Sequence, residues 1–475
     1  MVKKIGLIFG PLSFIFLNSL SLVKIDEKAS VVIALASWMI IWWISEAVSI
    51  SVTSLLPLVI FPLFQVMEIN QVGANYGSSI VFLFFGGFVL ALALEKVNLH
   101  KRIALTIINK TGTSPNRVIL GFMIATAFMS MWISNTASTV VMLPIALSVI
   151  NLLIDNKKGG AKSEKNFSLS VMLGIAFSAN SGGIATVIGT PPNSVLIGLL
   201  ENEYNIEISF LNWMVIGLPF SMILLAIIYL LLTRVLFRNE NIKFKSSSQL
   251  ISNKLNELGK LSKKEMHVLI IFGITVFLWI FRTLINKLIP GFKLSDTIIS
   301  VGCAISLFAI PSKFSKPQFI LNWNDTKNLA WGILILFGGG LALAKGMSET
   351  GIVSLITDSI AGANLNILIT VSLLITMMLF MTELMSNVAL VAVLAPVMAG
   401  IAIGLEIPIL HLLIPITMAS SCAFMLPMAT PPNAIVFASG YVKVSEMVRA
   451  GILINILSIL LLILMYKFFI PMIFN

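Results

Sequence analysis

The sequence predicts an all-α polytopic membrane protein of about eleven transmembrane helices plus two re-entrant hairpins, arranged as inverted-topology repeats. Three observations carry that prediction. Of 475 residues, 58% are hydrophobic and 11% charged, with a mean hydropathy of +1.01, and many stretches exceed the roughly 18 apolar residues that span a bilayer. Landmarks recur at one separation: Ser386-Asn387-Val388 lies 252 residues after Ser134-Asn135-Thr136, as Pro396 does after Pro144 and Gly338 after Gly86. That is the mark of a duplicated half. Two apolar spans are also interrupted by nearly the same pentapeptide, Gly189-Thr190-Pro191-Pro192-Asn193 and Ala429-Thr430-Pro431-Pro432-Asn433.

In chain order, the first half has spans near 5–23, 30–48, 51–67 and 78–97. The stretch 5–23 lacks a small-residue cleavage site and is followed by another span, so it reads as a transmembrane helix rather than a signal peptide. A basic connector from His100-Lys101-Arg102 to Arg117 precedes hairpin 117–152, with the first triplet near its tip. A polar loop, Asp155–Asn166, leads to the broken span 168–198, and span 211–233 closes the half. Segment 234–265 is the longest hydrophilic stretch. The second half follows with spans 266–289, 295–311 and 328–347, an amphipathic connector near 349–361, hairpin 364–404, the broken span 408–440 and span 450–471. Pro-Pro removes two backbone donors and clashes with the preceding turn, so neither interrupted span can be one continuous helix. Irregular backbone at membrane depth is tolerated only where it lines a cavity or is buried in protein. The breaks lie 240 residues apart, which makes Asp155–Asn166 an insertion in the first copy.

Charge sets the orientation. Segment 234–265 is strongly basic, whereas loop 200–208 holds Glu201, Glu203 and Glu207 with no basic residue. With Lys3 and Lys4 inside, the basic segments fall in the cytoplasm and the acidic loop outside. The first hairpin then has its ends inside and the second outside, so the copies are inverted. A net charge of +11 belongs to those cytoplasmic loops, and no nucleic-acid partner is expected. Cys303 and Cys422 both sit in apolar segments, so no disulfide framework follows. His100, His267 and His411 are scattered and give no metal pattern.

Inverted repeats with paired broken helices are the pattern of a secondary transporter with its site at the repeat interface. Within the hairpins and breaks there is no Arg or Lys, and one carboxylate, Glu383. Binding then rests on hydroxyls, carboxamides and helix ends. Hairpin tips and breaks leave orphan N–H groups at positive dipole ends, which suit an anion. Free carbonyls and the oxygens of Asn135 or Asn387 suit a small hard cation such as sodium. An uncompensated divalent anion is costly at the bilayer midplane, so adjacent cations imply coupling. The bland readings differ: a lone Ser-Asn pair is interhelical glue, a lone Pro-Pro is a kink, and a cap on backbone donors accounts for Glu383 equally well. Two triplets and two breaks in register favour a site. Glu46 and the glycine runs Gly86-Gly87 and Gly338-Gly339-Gly340 read as packing.

These paired motifs, with Trp42-Trp43-Ile44-Ser45-Glu46-Ala47-Val48, resemble the divalent anion/sodium symporter family over nearly the whole chain. The resemblance implies a homodimer in a prokaryotic plasma membrane, and no enzyme. Scaffold parts 1–116 and 266–361 and transport parts 117–233 and 364–475 would move by an elevator mechanism, joined by the cytoplasmic linker 234–265. It implies a carrier of di- or tricarboxylates, C4-dicarboxylates such as succinate first, with sodium as coupling ion and no other cofactor. Substrate would meet Ser134, Asn135, Thr136, Ser386, Asn387, Val388, Thr190, Thr430 and Pro431. One sodium would use Ser130, Ser134, Asn135 and the Gly189 backbone; the other Thr382, Met385, Asn387 and the Ala429 backbone. Val388 stands where many relatives have Thr, which bears on substrate choice. The alternatives are a sodium-independent dicarboxylate exchanger and, from another class, an anion channel.

Overall fold

The computed structural model describes residues 2–20, 26–112, 114–155, 161–238, 247–289, 291, 293–311, 318–361 and 366–474. Parts of the expected polar loop (156–160) and linker (239–246) lie outside the described residues. The first half runs α1 (Val2–Ser19), α2 (Glu27–Ser45), α3 (Ile50–Thr53), α4 (Leu56–Leu63), α5 (Ile69–Tyr76) and α6 (Ser79–Lys96) to a connector helix, α7 (Leu99–Thr111). A hairpin of α8 (Pro115–Ser130) and α9 (Asn135–Asp155) follows, then α10 (Ala161–Ile184), α11 (Pro191–Tyr204) and α12 (Phe210–Leu230). Helix α13 (Ser247–Glu257) belongs to the linker. The second half repeats the plan. It comprises α14 (Lys263–Leu288), α15 (Asp296–Ala309), α16 (Trp331–Glu349), the connector α17 (Ile352–Ile360), the hairpin α18 (Ile367–Thr382) and α19 (Asn387–Gly404), then α20 (Ile409–Ser420), α21 (Pro431–Ala438), α22 (Val444–Leu464) and α23 (Ile470–Ile473).

Local chemistry starts these helices. Ser209, Ser295 and Asn366 accept the N–H of the residue three further on, at 3.1, 3.2 and 3.2 Å, satisfying donors the first turn leaves open. Ser262 and Glu265 form a reciprocal capping box at α14. Glu265 also receives both arms of Arg102 on α7, at 2.7 and 3.3 Å, while Arg102 donates to the Leu258 and Gly259 carbonyls. The connector is thereby pinned to the end of the linker.

Eight described helices are long and apolar enough to cross a membrane, against about eleven spans expected from hydropathy. Of the expected spans, 5–23, 51–67, 295–311 and 408–440 are not among the eight. Ile50–Leu63 is divided at Ser54 and Leu55, Asp296–Ala309 has 14 residues, and the expected span 408–440 is split into helices of 12 and 8 residues. One of the eight, Asn387–Gly404, is the second arm of a hairpin. Gly86 of α6 and Gly338 of α16 serve packing, since a Cβ there would collide with Ser300 and Tyr76 respectively.

Ion pairs among the described residues join ends assigned to the same side by the charge rule. Lys96–Asp325, Arg102–Glu265 and Lys165–Glu446 link cytoplasmic ends, and Arg282–Glu207 links outer ends. The core is α10 and α11. Every residue from 167 to 200 except Pro191 is buried, whereas Met428, Pro431, Ala434 and Phe437 around the second break are exposed.

Candidate functional site

The two hairpin tips are built alike. Helix α8 ends at Ser130, the chain turns, and α9 begins five residues later at Asn135. The Ser130 hydroxyl lies 2.5 Å from Asn135 Oδ1 and 2.7 Å from the Ala179 carbonyl on α10. In the second repeat the Thr382 hydroxyl lies 2.7 Å from Asn387 Oδ1 and 2.6 Å from the Ser420 carbonyl on α20. A side chain closes each tip and staples it to the broken helix of its own repeat. Each cluster presents hydroxyl, carboxamide and carbonyl oxygens, the ligand set of a hard cation. Glycine lets the first cluster close: a Cβ on Gly183 would collide with Asn135 Oδ1, and one on Gly189 with the Gly183 and Ser130 carbonyls.

The Pro-Pro breaks are held by the asparagine that ends each motif. Asn193 Nδ2 donates to the Thr186, Ile184 and Gly183 carbonyls at 2.8, 3.3 and 3.4 Å. Asn433 Nδ2 donates to Ala423 and Leu426, both at 3.1 Å. Each amide thus satisfies carbonyls freed where α10 and α20 end. Thr186 braces the first break further, donating to the Met131 carbonyl at 2.6 Å and accepting the Gly189 N–H at 3.0 Å.

Met131 has Glu383 as its counterpart, and here the repeats diverge. Helix α20 stops at Ser420, eleven residues before α21 begins at Pro431, leaving a longer turn than the first break has. The buried Glu383 carboxylate accepts the N–H groups of Phe424 and Met425 at 2.9 Å, of Leu426 at 3.1 Å, and Asn455 Nδ2 at 2.7 Å. All four contacts are donors, the bonding pattern of an acceptor-only carboxylate. The capping role that the sequence left open is therefore the one this side chain fills.

Other expected residues are placed as follows. Ser134 and Thr136 are exposed, Asn135 and the second triplet are half-buried, and Pro431 is exposed. Ser134 Oγ accepts the Ala137 N–H at 3.2 Å. Thr190 and Thr430 are buried, and Thr430 Oγ1 accepts from Asn180 Nδ2 at 3.0 Å and the Asn433 N–H at 3.4 Å. Met385 is half-buried beside Ser386 and Ala429 is buried in the second break, its N–H on the Leu426 carbonyl. Among the described residues no hydrogen bond joins either to Asn387. Sequence reasoning missed Asn180, Gly183 and Thr186. Their one signal was Asn180-Ser181-Gly182-Gly183 within an otherwise apolar span.

Each half-helix after a break packs on the hairpin arm of the opposite repeat, α21 on α9 and α11 on α19. Helices α9, α19, α11 and α21 begin at the two triplets and the two breaks. Each of the four therefore presents its positive end at one of the motifs, with no basic side chain among them. Such ends offer N–H groups and hydroxyls, the chemistry that suits an anion.

The family described as sodium:sulfate symporter transmembrane region matches residues 4–475. A protein named sodium-dependent dicarboxylate transporter SdcS from Staphylococcus saprophyticus is 40% identical, over 98% of this chain and 91% of its own. The protein of that name from Staphylococcus aureus strain USA300 is also 40% identical, over 99% and 91%. Among solved structures, the Alcanivorax borkumensis YdaH transporter aligns with TM-score 0.53 at 10% identity, over 85% of this chain and 88% of that one. MtrF of Neisseria gonorrhoeae aligns with TM-score 0.50 at 14% identity, over 87% and 84%. These two share the fold alone. With the duplicated triplets, the paired breaks and a match over nearly the full length, this chain is an integral membrane protein that belongs to the sodium:sulfate symporter family, the divalent anion/sodium symporters.

Proposed function

We propose that this chain is a secondary carrier of small dicarboxylates, succinate foremost, driven by sodium. The observation that carries the reading is the duplicated oxygen cluster, Ser130 with Asn135 and Thr382 with Asn387, beside four helix N-termini. Names of the 40%-identical relatives point to the same ion and substrate class. Substrate carboxylates meet Ser134, Thr136, Ser386 and the helix N-termini, while sodium ions at the tips offset their charge. Labelled-succinate uptake into proteoliposomes tests this, with and without a sodium gradient and internal succinate. Uptake into empty vesicles only under a sodium gradient is the expected result. A strict need for internal succinate would establish an exchanger instead.

An asymmetry between the repeats supports alternating access. Helix α11 packs on the scaffold helix α16, but α21 has no comparable contact with α6, its counterpart. By the charge-derived orientation α21 lies on the cytoplasmic side, so the substrate path opens inward. Ala434 on α21 is exposed and its counterpart Ser194 on α11 is buried. Cys422 is fully buried, so only Cys303 needs replacing for a labelling test. In a Cys303→Ser background, an impermeant thiol reagent applied from the cytoplasm should modify Ala434→Cys and spare Ser194→Cys. Substrate with sodium should slow that modification by shifting population outward. Equal labelling of both sites, unchanged by substrate, would count against alternation.

Val388 offers a test of substrate contact. It is half-buried in the first turn of α19, beside Asn387. Val388→Thr adds a donor at nearly constant volume. A hydrogen bond to a charged group is worth roughly 1.5–3 kcal/mol, so the preference for succinate over citrate should move severalfold or more. An unchanged preference in competition uptake would remove position 388 from the substrate's surroundings.

A further inference from the structure

The acidic outer loop 200–208 is gripped by helices of the expected scaffold. At the start of α6, Ser79 Oγ donates to Glu201 Oε1 at 2.8 Å. Near the end of α16, the Ser348 hydroxyl is hydrogen-bonded to Glu203, with Lys345 close by. Arg282 of α14 lies 2.8 Å from Glu207 Oε1 and 3.4 Å from Asp296 Oδ1 at the start of α15. Asp296 Oδ2 in turn accepts the N–H of Phe210, the first residue of α12, at 2.7 Å. Each carboxylate of the loop is thus taken up by residues of 1–116 or 266–361, the parts that the proposed alternation keeps still.

The matching loop of the second repeat is tied elsewhere. The 240-residue separation of Asn193 and Asn433 pairs Glu201 with Tyr441 and Glu203 with Lys443. Tyr441 Oη donates to Asn151 Oδ1 on α9 at 2.9 Å, and Glu446 pairs with Lys165 on α10. Both partners belong to the expected transport part. The outer loop therefore bridges the still and moving parts, whereas these contacts of its counterpart stay within the moving one.

The outer contact can open at low cost. The side chains of Arg282 and Asp296 are 12 and 11% exposed, whereas that of Glu207 is 66% exposed. A buried guanidinium stripped of every partner would be costly, but Asp296 stays beside Arg282 when Glu207 leaves. An exposed carboxylate is held weakly, enough to bias a two-state equilibrium without freezing it. We infer that loop 200–208 is the clasp that holds the carrier inward-open, with Arg282–Glu207 as the ion pair that breaks on each passage outward. This rests on the alternating reading above.

Glu207→Gln tests it without disturbing the Arg282–Asp296 pair. In the Cys303→Ser, Ala434→Cys background without substrate, cytoplasmic modification should slow severalfold because the outward population grows. Half-saturating external succinate should fall as well, since apparent affinity follows the fraction of carrier that is competent to bind. A merely structural role would lower the melting temperature and leave the modification rate unmoved. An unchanged rate overturns the inference. If the variant does not fold, Ser79→Cys with Glu201→Cys decides, bridged by a reducible bifunctional thiol reagent in the Cys303→Ser background. Arrested uptake that returns on reduction is expected, and undiminished uptake with the pair bridged overturns the clasp. Modification of Ala434→Cys that ignores substrate and sodium with Glu207 in place would instead overturn alternation itself, a result distinct from either variant's.

Discussion

Alanine at Asn135 or at Asn387 is expected to abolish sodium-driven uptake while the protein still folds. Each carboxamide oxygen faces a hydroxyl that is itself tied to a broken helix, Ser130 to Ala179 and Thr382 to Ser420. Alanine removes the side chain that closes the tip and, in the proposed site, a cation ligand and a neighbour of the bound anion. A lost bond to a charged group costs about 1.5–3 kcal/mol, so two such losses weaken binding by about a hundredfold or more. Alanine is a better helix former than asparagine and both positions begin a helix, so the fold should survive. Uptake in proteoliposomes, with size-exclusion behaviour as the fold control, is the measurement. Substantial uptake at ordinary sodium in either variant would remove that asparagine from the ion site.

Glu383 should be the second most sensitive position, by a different route. Its carboxylate collects three backbone N–H groups and one side-chain amide. Glutamine offers one oxygen in place of two and turns an NH₂ group toward existing donors. Each buried donor left without a partner costs about 1–3 kcal/mol. Glu383→Gln should therefore lower thermal stability and raise the sodium needed for half-maximal uptake about tenfold or more, because the turn carrying Ala429 and Thr430 loosens. Glu383→Leu, which orphans all four donors, should not accumulate as folded protein. The two effects in Glu383→Gln are separable by melting the protein with and without sodium. Wild-type melting and an unshifted sodium dependence in Glu383→Gln would show that the 424–426 turn is held by other contacts.

Much of the site was readable because its chemistry is forced by the solvent. A Ser-Asn pair or a Pro-Pro break has no water to bond at membrane depth, so its presence there already demands a partner. The triplets, the breaks and their constant spacing could be found without coordinates for that reason. Asn180 and Thr186 escaped notice because a single polar residue in an apolar span is equally the signature of interhelical glue. Their partners, Thr430 in the other repeat and Met131 in the first hairpin, lie 250 and 55 residues away in sequence. Glu383 was visible but ambiguous, since sequence cannot say whether a carboxylate meets backbone donors or solvent.

By itself the sequence determined the helical class, the duplication and the four paired motifs, and the charge rule assigned an expected side to each loop. Those follow from hydropathy, charge and backbone chemistry, which act locally and leave periodic traces. Only the tertiary structure decided that α11 sits against α16 while α21 has no comparable contact with α6, that Glu383 replaces Thr186 as the brace of a longer turn, and that Asn180 reaches from one repeat to the break of the other. Two halves with nearly matching motifs need not pack alike. Which half is covered is set by contacts between distant helices, which neither motif encodes.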